Sequence, residues 1–349
     1  MPRRNFENNH GRIGLWAMGA LAGSALATGL QTLAAERIHP PTGSFVPTRS
    51  GWLRIREAGR GQPVVLLHGA GGLLDDFVVA GVFDALSASH RVISIDRPGY
   101  GYSSQPLRDL KTPEDQAGWL DDLLNELGIE QPILVGHSWG TLVALSHALT
   151  FPGKAAGLLL VSGFYYAVER PLAQVVAVAA TPGMGFLLRH TVLPPLTRLI
   201  APGVIRFLFA PSPVSERFKA FPVSLCCRPG HRRAAALDME YLDATADTLS
   251  PHYHQVNTPT VLITGMGDKI VDPERQTRRL WQDLPNAALV ELPGVGHMAH
   301  HVCPKAVIDA VRRLASRPEM VAPGMEPDRP SLLAESTGGP PGTSVAIHS

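Results

Sequence analysis

The chain has 349 residues, of which 45% are hydrophobic and 17% are charged. This composition is ordinary for a globular protein, and the length allows one large domain with an insertion or two domains. The formal net charge is +1, so the chain lacks the basic excess of a nucleic-acid-binding protein, and we expect no nucleic-acid partner. The cysteines fit neither a disulfide framework nor a zinc-site spacing, since the chain has only Cys226, Cys227 and Cys303.

The N-terminal region contains a long segment without charge. Residues 13–35 form this segment of 23 uncharged residues, and the basic residues that precede it are Arg3, Arg4 and Arg12. As an α-helix the segment would reach about 34 Å, which is enough to cross a bilayer. We therefore predict a basic segment at residues 1–12 and a single-pass membrane anchor at 13–35, with the following domain outside the cytoplasm. A cleaved signal, which would leave a secreted or periplasmic protein, and a helix of a soluble protein are the alternatives.

After a linker at residues 36–47, short apolar runs alternate with helical stretches. Strands that read as continuous apolar runs between helices predict an α/β fold, with a mostly parallel sheet and helices on both faces. The runs are WLRIREAG (52–59), PVVLLHG (63–69), RVISIDR (91–97), PILVGH (132–137), AGLLLVSG (156–163), TVLITG (260–265) and ALVELPG (288–294).

The alternation stops for more than eighty residues and then resumes. Residues 164–250 contain apolar helical pieces punctuated by prolines, which predicts a helical cap over a core of residues 48–163 and 251–316. Residues 317–349 are rich in Pro, Gly and Ser without hydrophobic periodicity. We predict that they form a disordered tail.

The motif GHSWG places Ser138 between the run PILVGH and a helical stretch that begins at Trp139. With 34 glycines in the chain, a Gly-x-Ser-x-Gly pattern alone is weak evidence. The order strand, tight turn, helix is more specific, because it exposes the serine hydroxyl above the sheet at a helix N-terminus. Ser138 is therefore a candidate nucleophile.

A serine hydroxyl needs a neighbouring base to react at neutral pH. His297 follows the last predicted strand in a glycine-flanked loop, GVGHMAHH, and parallel strands deliver such loops to one edge of the sheet. His300 and His301 are the alternatives, although they fall where the final helix begins and are expected there as solvated or capping residues. We expect the side chain of His137, inside the motif, to point away from the serine into supporting structure.

The base in turn needs an orienting acid, and the oxyanion of an acyl-transfer intermediate needs N–H donors. Asp268 follows the run TVLITG by three residues, whereas Asp272 precedes Pro273 and is typical of a helix cap. The predicted donors are the backbone N–H groups of Trp139 and of Ala70, which lies in the loop HGAGG.

A nucleotide-binding function is disfavoured, because neither GxGxxG nor GxxxxGK[ST] occurs in the chain. Acyl transfer by a serine requires no metal or cofactor, and we expect none.

The motifs HGAGG, DRPGYGYS (96–103) and GHSWG, with the order Ser, Asp, His, resemble the α/β-hydrolase fold superfamily, in its subgroup with an HGxxG oxyanion loop. The resemblance covers residues 50–163 and 251–316. It implies Ser138 as nucleophile, His297 as base and then acid, and Asp268 as the orienting carboxylate. It also implies oxyanion donors at Ala70 and Trp139, and a structural role for residues 96–103.

The expected function is that of a serine hydrolase, carboxylesterase-like, which cleaves an ester-like bond of a small hydrophobic substrate through an acyl-enzyme. The cap matches the family in placement only, so the substrate does not follow from the resemblance. Amidase, lyase and cofactor-free peroxidase chemistry on the same fold are alternatives. A membrane-tethered binding module without turnover is the alternative from another class.

Overall fold

The computed structural model describes the backbone of residues 4–168, 176–316 and 346–348, and the side chains of residues 15–168 and 176–316. Several predictions fall partly outside these residues. They concern the side chains of the basic segment 1–12, residues 169–175 of the cap, and residues 317–345 and 349 of the tail.

One sheet forms the centre of the structure, and each of the predicted apolar runs overlaps one of its strands. The strands are β1 (Ser44–Thr48), β2 (Gly51–Ala58), β3 (Pro63–Leu67), β4 (Arg91–Ile95), β5 (Ile133–His137), β6 (Gly157–Val161), β7 (Thr260–Gly265), β8 (Ala287–Leu292) and β9 (Ala346–His348). Their spatial order is β1-β2-β4-β3-β5-β6-β7-β8-β9. Neighbours from β4 to β8 pair in parallel, whereas β1, β2 and β9 pair antiparallel. The predicted mostly parallel sheet is confirmed.

Helices pack on both faces of this sheet, and others form the N-terminal region and the cap. They are α1 (Arg4–Ile38), α2 (Asp75–Val79), α3 (Val82–Ser87), α4 (Pro113–Glu126), α5 (Trp139–Thr150), α6 (Met184–His190), α7 (Leu193–Phe209), α8 (Val223–Cys226), α9 (Pro229–Leu249), α10 (Arg279–Asp283), α11 (Ala299–Val302) and α12 (Pro304–Ala315). Successive side chains of a strand point to opposite faces. In β5, Leu134 accordingly packs with α4 and α5, whereas Ile133 and Val135 pack with α3 and α12.

Two strands lie where the sequence predicted none. β1 overlaps the predicted linker 36–47 and pairs with β2, and β9 lies in the predicted disordered tail 317–349 and pairs with β8. Both predictions are wrong over these strands. The outer strand of a sheet offers unpaired backbone groups to any passing segment, and such pairing needs no apolar periodicity in the segment that joins.

The predicted anchor, residues 13–35, lies within α1, and α1 contacts the cap. The Ser24 hydroxyl donates to the carbonyl oxygen of Thr191 at 2.6 Å, and Arg228 donates to the Glu36 carboxylate at 2.9 Å. In the described part of the chain, no single helix has both the length and the mean hydropathy needed to cross a bilayer. The transmembrane prediction is therefore not confirmed.

A buried ion pair joins the cap to the core. Arg97 follows β4, and its guanidinium lies 2.5 Å from the carboxylate of Asp238 on α9, with both residues buried. The same guanidinium donates to the carbonyl oxygen of His68 at 3.0 Å, and the Tyr100 hydroxyl donates to Asp238 at 2.5 Å. One carboxylate of the cap thus neutralises the cation that holds the loop after β3.

We expect Asp238→Asn to lower the free energy of unfolding by about 3–5 kcal/mol, because it leaves the Arg97 charge buried without an anion. Urea unfolding followed by circular dichroism measures the loss. Asp109→Asn is the matched control, since the Arg233–Asp109 pair is 28% and 25% exposed, and it should cost under about 1 kcal/mol. Equal losses in the two variants would contradict the importance of the buried pair.

Candidate active site

The turn between β5 and α5 holds Ser138 in a strained backbone conformation. Its φ is 51° and its ψ is −119°, a combination that residues with a side chain rarely adopt. A Cβ at Gly136 would lie 2.5 Å from the carbonyl carbon of Gly140, and a Cβ at Gly140 would lie 2.2 Å from the carbonyl oxygen of Leu67. Only glycine fits at these two positions, so the close packing of strand, helix and β3 holds the serine on its corner.

The loop after β3 lies against this turn. A Cβ at Gly69 would come within 2.9 Å of the Ser138 Cβ. The next N–H, that of Ala70, donates no hydrogen bond within the described residues. Trp139 is the first residue of α5, so its N–H has no acceptor within the helix. The two predicted N–H donors are therefore free to bind a negatively charged oxygen near Ser138.

His68 and Arg97 fix the backbone of that loop. His68 Nδ1 lies 2.8 Å from the carbonyl oxygen of Gly69, and the Arg97 backbone N–H donates to His68 Nε2 at 3.1 Å. Burial, together with the Arg97 charge, lowers the pKa of His68 well below its ordinary value, so the ring is neutral and donates through Nδ1. Both residues lie within motifs that the sequence singled out, HGAGG and DRPGYGYS, but neither was assigned an individual role there.

His297 and Asp268 form a direct contact. His297 Nδ1 lies 2.8 Å from Asp268 Oδ2, and both side chains are buried. The other carboxylate oxygen accepts the backbone N–H groups of Ile270 at 2.8 Å and Val271 at 3.0 Å. These donors hold the carboxylate in a fixed direction, aimed at the imidazole.

The serine turn touches the histidine loop through His137. His137 Nε2 donates to the carbonyl oxygen of His297 at 3.2 Å, and the centroids of the two rings are 5.0 Å apart. Ser138 thus follows directly a residue that contacts His297. The contacts of the described residues include no hydrogen bond between Ser138 and His297 themselves, and catalytic hydrogen bonds are often long before substrate binds.

The alternative acid and bases have other positions. Asp272 accepts the backbone N–H groups of Glu274 at 2.9 Å and Arg275 at 3.1 Å, which is the helix-cap geometry that the sequence predicted. His300 and His301 are buried and not solvated, so that expectation is wrong. They lie in α11 against the aromatic rings of Phe77 and Phe209, and both reach the carboxylate of Asp76, which sequence reasoning missed.

A small cavity of about 30 Å³ lies between α9 and the loops of the core. Its wall includes Trp139 but not Ser138, and Leu110, Leu237 and Tyr241 supply apolar surface. Its two arginines, Arg97 and Arg233, are each paired with a carboxylate, at 2.5 and 2.6 Å. The wall therefore combines apolar with polar side chains, and the charges of its arginines are compensated.

Comparison with known proteins agrees with this architecture. Residues 62–304 match the family model of the alpha/beta hydrolase fold. A 2-hydroxy-6-oxo-6-phenylhexa-2,4-dienoate hydrolase from Burkholderia cepacia is 26% identical over 254 residues, which cover 71% of this chain and 85% of the relative. An (E)-2-((N-methylformamido)methylene)succinate hydrolase from Acinetobacter baylyi is 25% identical over 73% of this chain and 91% of its own. Among solved structures, a thermophilic esterase from Thermogutta terrifontis superposes with a TM-score of 0.64 at 23% identity, over 80% of this chain and all of that one.

The match to the family model spans more than half of the chain and contains both the serine turn and the His297–Asp268 contact. The two curated relatives are both named hydrolases, of different substrates. The chain belongs to the alpha/beta hydrolase fold family.

Proposed function

We propose that this protein is a serine hydrolase that cleaves an ester-like bond of a small, uncharged, hydrophobic substrate. The observation that carries the proposal is the buried His297–Asp268 contact, at 2.8 Å, on the loop next to the strained turn of Ser138. A proton on Nδ1, donated to Asp268, leaves Nε2 of His297 as the proton acceptor. A serine at a helix N-terminus, a base and an orienting carboxylate are the parts that acyl transfer requires.

In the proposed cycle, His297 takes the proton of the Ser138 hydroxyl while its oxygen attacks the carbonyl carbon of the ester. The Ala70 and Trp139 N–H groups stabilise the oxyanion of the tetrahedral intermediate. His297 then protonates the leaving alcohol, and an acyl-enzyme remains on Ser138. A water molecule, deprotonated by His297, releases the acid and restores the serine.

The charges around the cavity beside Trp139 support the proposed substrate class. A dienoate of the kind named for the Burkholderia cepacia relative carries a carboxylate, which requires an unpaired cation for tight binding. Both cavity arginines, Arg97 and Arg233, already pair with carboxylates. The balance of charge therefore favours a neutral ester over a carboxylate substrate.

We expect hydrolysis of short and medium-chain p-nitrophenyl esters, and a fall in kcat of at least about a thousandfold for Ser138→Ala. Release of p-nitrophenol measures turnover. A fluorophosphonate probe should label the wild type and leave Ser138→Ala unlabelled.

Three results would overturn parts of this proposal. Labelling that persists in Ser138→Ala would place the nucleophile elsewhere. Turnover of the phenyl dienoate or of amides without turnover of any ester would refute the ester assignment. A wild type that neither reacts with the probe nor turns over any substrate would favour the binding-module alternative.

The choice between the two aspartates gives a matched pair of variants. Asp268→Asn should lower kcat by about a thousandfold or more, because the amide no longer holds the imidazole in the tautomer that accepts the serine proton. Asp272→Asn should stay within a few-fold of the wild type, since its carboxylate contacts only backbone N–H groups of its own turn and the exposed Arg275. Steady-state ester hydrolysis measures both, and similar losses would contradict the role proposed for Asp268.

We also propose that α1 and the cap rest on an anionic lipid surface. Of 22 large hydrophobic side chains that are exposed in the described residues, 7 lie on α1 and 11 between Val176 and Phe207. The stretch 176–215 contains neither Asp nor Glu, and of its three arginines only Arg189 is buried, so Arg198 and Arg206 leave this surface positively charged, which matches the negative charge of such lipids. An apolar patch of this extent is typical of a membrane or protein contact, and the uncharged segment of α1 favours lipid.

Flotation with vesicles of phosphatidylglycerol and phosphatidylcholine measures this association. Leu199→Ser should weaken it about tenfold, because the 79%-exposed side chain contributes on the order of 1.5 kcal/mol when buried in lipid. Leu107→Ser is the matched control, since Leu107 is 98% exposed and lies outside α1 and the cap. A wild type that does not float, or an equal effect of the control, would refute the lipid surface.

A further inference from the structure

A buried cluster of imidazoles surrounds one carboxylate behind the serine turn. Asp76, His137, His300 and His301 are each at most 5% exposed. They come from three separate elements: Asp76 lies in α2, His137 ends β5, and His300 and His301 lie in α11. None of these side chains is needed for the proposed acyl transfer, so their convergence requires a separate explanation.

The cluster is buried away from solvent, so its polar atoms need partners within the protein. A buried carboxylate or ring nitrogen without a partner is costly in a protein interior.

Some nitrogen and oxygen atoms of the cluster have lone pairs that could bind a cation and that no hydrogen bond fully uses. His137 donates through Nε2 to a backbone carbonyl oxygen, so its Nδ1 carries a bare lone pair, and this atom has no hydrogen-bond partner. It lies 3.8 Å from Asp76 Oδ2. Both atoms are hydrogen-bond acceptors in this tautomer, so they form no hydrogen bond with each other. His300 Nε2 lies 3.1 Å from the same oxygen. Two ring nitrogens and one carboxylate oxygen thus converge, and the contacts of the described residues leave His137 Nδ1 without a hydrogen bond.

We propose that Asp76 Oδ2, His137 Nδ1 and His300 Nε2 bind a divalent transition-metal ion, with Zn²⁺ as the best fit. Imidazole and carboxylate are ligands that zinc prefers, and bond lengths of about 2.0–2.2 Å in a tetrahedron separate the donors by about 3.3 Å. The three donor atoms already lie within 4.8 Å of one another, so the largest closure required is about 1.5 Å. A water molecule takes the fourth position.

Further hydrogen bonds orient the proposed ligands, as is usual around metal sites. His301 Nε2 donates to the other oxygen of Asp76 at 2.7 Å, which orients Oδ2 towards the rings. The Nε2 hydrogen bond of His137 to the His297 carbonyl oxygen, at 3.2 Å, fixes the tautomer that presents Nδ1. Such outer contacts orient the ligands and raise metal affinity.

The bound ion would join the loops that carry Ala70, Ser138 and His297. Its role is therefore structural: it fixes the relative positions of the oxyanion donor, the nucleophile and the base. The ion takes no part in the acyl transfer at Ser138. Ion binding to the folded state alone also adds to the free energy of unfolding.

Titration of the full-length, untagged, chelator-treated protein with Co²⁺ tests the site. We expect one equivalent to give the visible absorption bands of tetrahedral cobalt, and Zn²⁺ to displace it and to raise Tm. This readout does not depend on ester hydrolysis, so the metal site and the proposed activity fail separately.

Variants locate the bound ion. Asp76→Asn and His300→Gln should each weaken Co²⁺ binding at least about 100-fold, and His301→Gln about 10–100-fold, because it acts through Asp76. His147→Gln, a buried histidine outside the cluster, should bind as the wild type does. Circular dichroism verifies that each variant is folded.

Each remaining outcome overturns the proposal. They are a wild type that binds no Co²⁺, or whose bands are not tetrahedral, and folded Asp76→Asn or His300→Gln proteins that retain full affinity. The exposed pair His252 and His254 is the alternative location, and loss of binding on replacing both by Gln would move the site there. If Asp76→Asn and His300→Gln fail to fold, the wild-type titration and the His301→Gln variant test the site. Unchanged Co²⁺ affinity in His301→Gln would then contradict the proposal.

Discussion

The backbone of Ser138 is the constraint on which the rest of the site depends. A positive φ at a residue with a side chain costs on the order of 1–3 kcal/mol, and the surrounding packing must supply that energy. β5 is the central strand, buried on both faces, and two glycines let α5 and β3 come close enough to hold the corner. The serine is thereby held at a helix N-terminus by the buried strand at the centre of the sheet.

Contacts between separate loops position the other groups of the site relative to Ser138. The His297 carbonyl meets His137, the carboxylate of Asp268 meets His297, and Gly69 lies against the serine itself. Each loop follows a parallel strand, so all of them emerge at the same edge of the sheet, where sites of this architecture lie. Each loop is therefore positioned by its contacts with the others at that edge.

The sequence predicted the parts that depend on local pattern. Apolar runs located the strands of the core, and the loops after them gave Ser138, Asp268 and His297, because strand ends determine where a side chain emerges. It did not predict the Arg97–Asp238 pair, whose partners are 141 residues apart. Nor did it predict the burial of His300 and His301, since two adjacent histidines at a helix start look solvated until α2 and the cap are packed over them. The edge strands β1 and β9 were also missed, because they form by pairing with β2 and β8 and their own sequences show no strand pattern.

The cap combines two surfaces of different character. Its inner helix α9 contributes to a cavity wall whose arginines are neutralised by Asp238 and Asp109, whereas α6 and α7 present most of their large apolar side chains outward. A hydrophobic ester dissolves in lipid and is scarce in water, so an enzyme for such a substrate gains from lying at the interface. If α1 and the outer cap face hold the protein there, the substrate needs to cross only the cap to reach Trp139. The same packing of α1 on the cap then serves both attachment and supply.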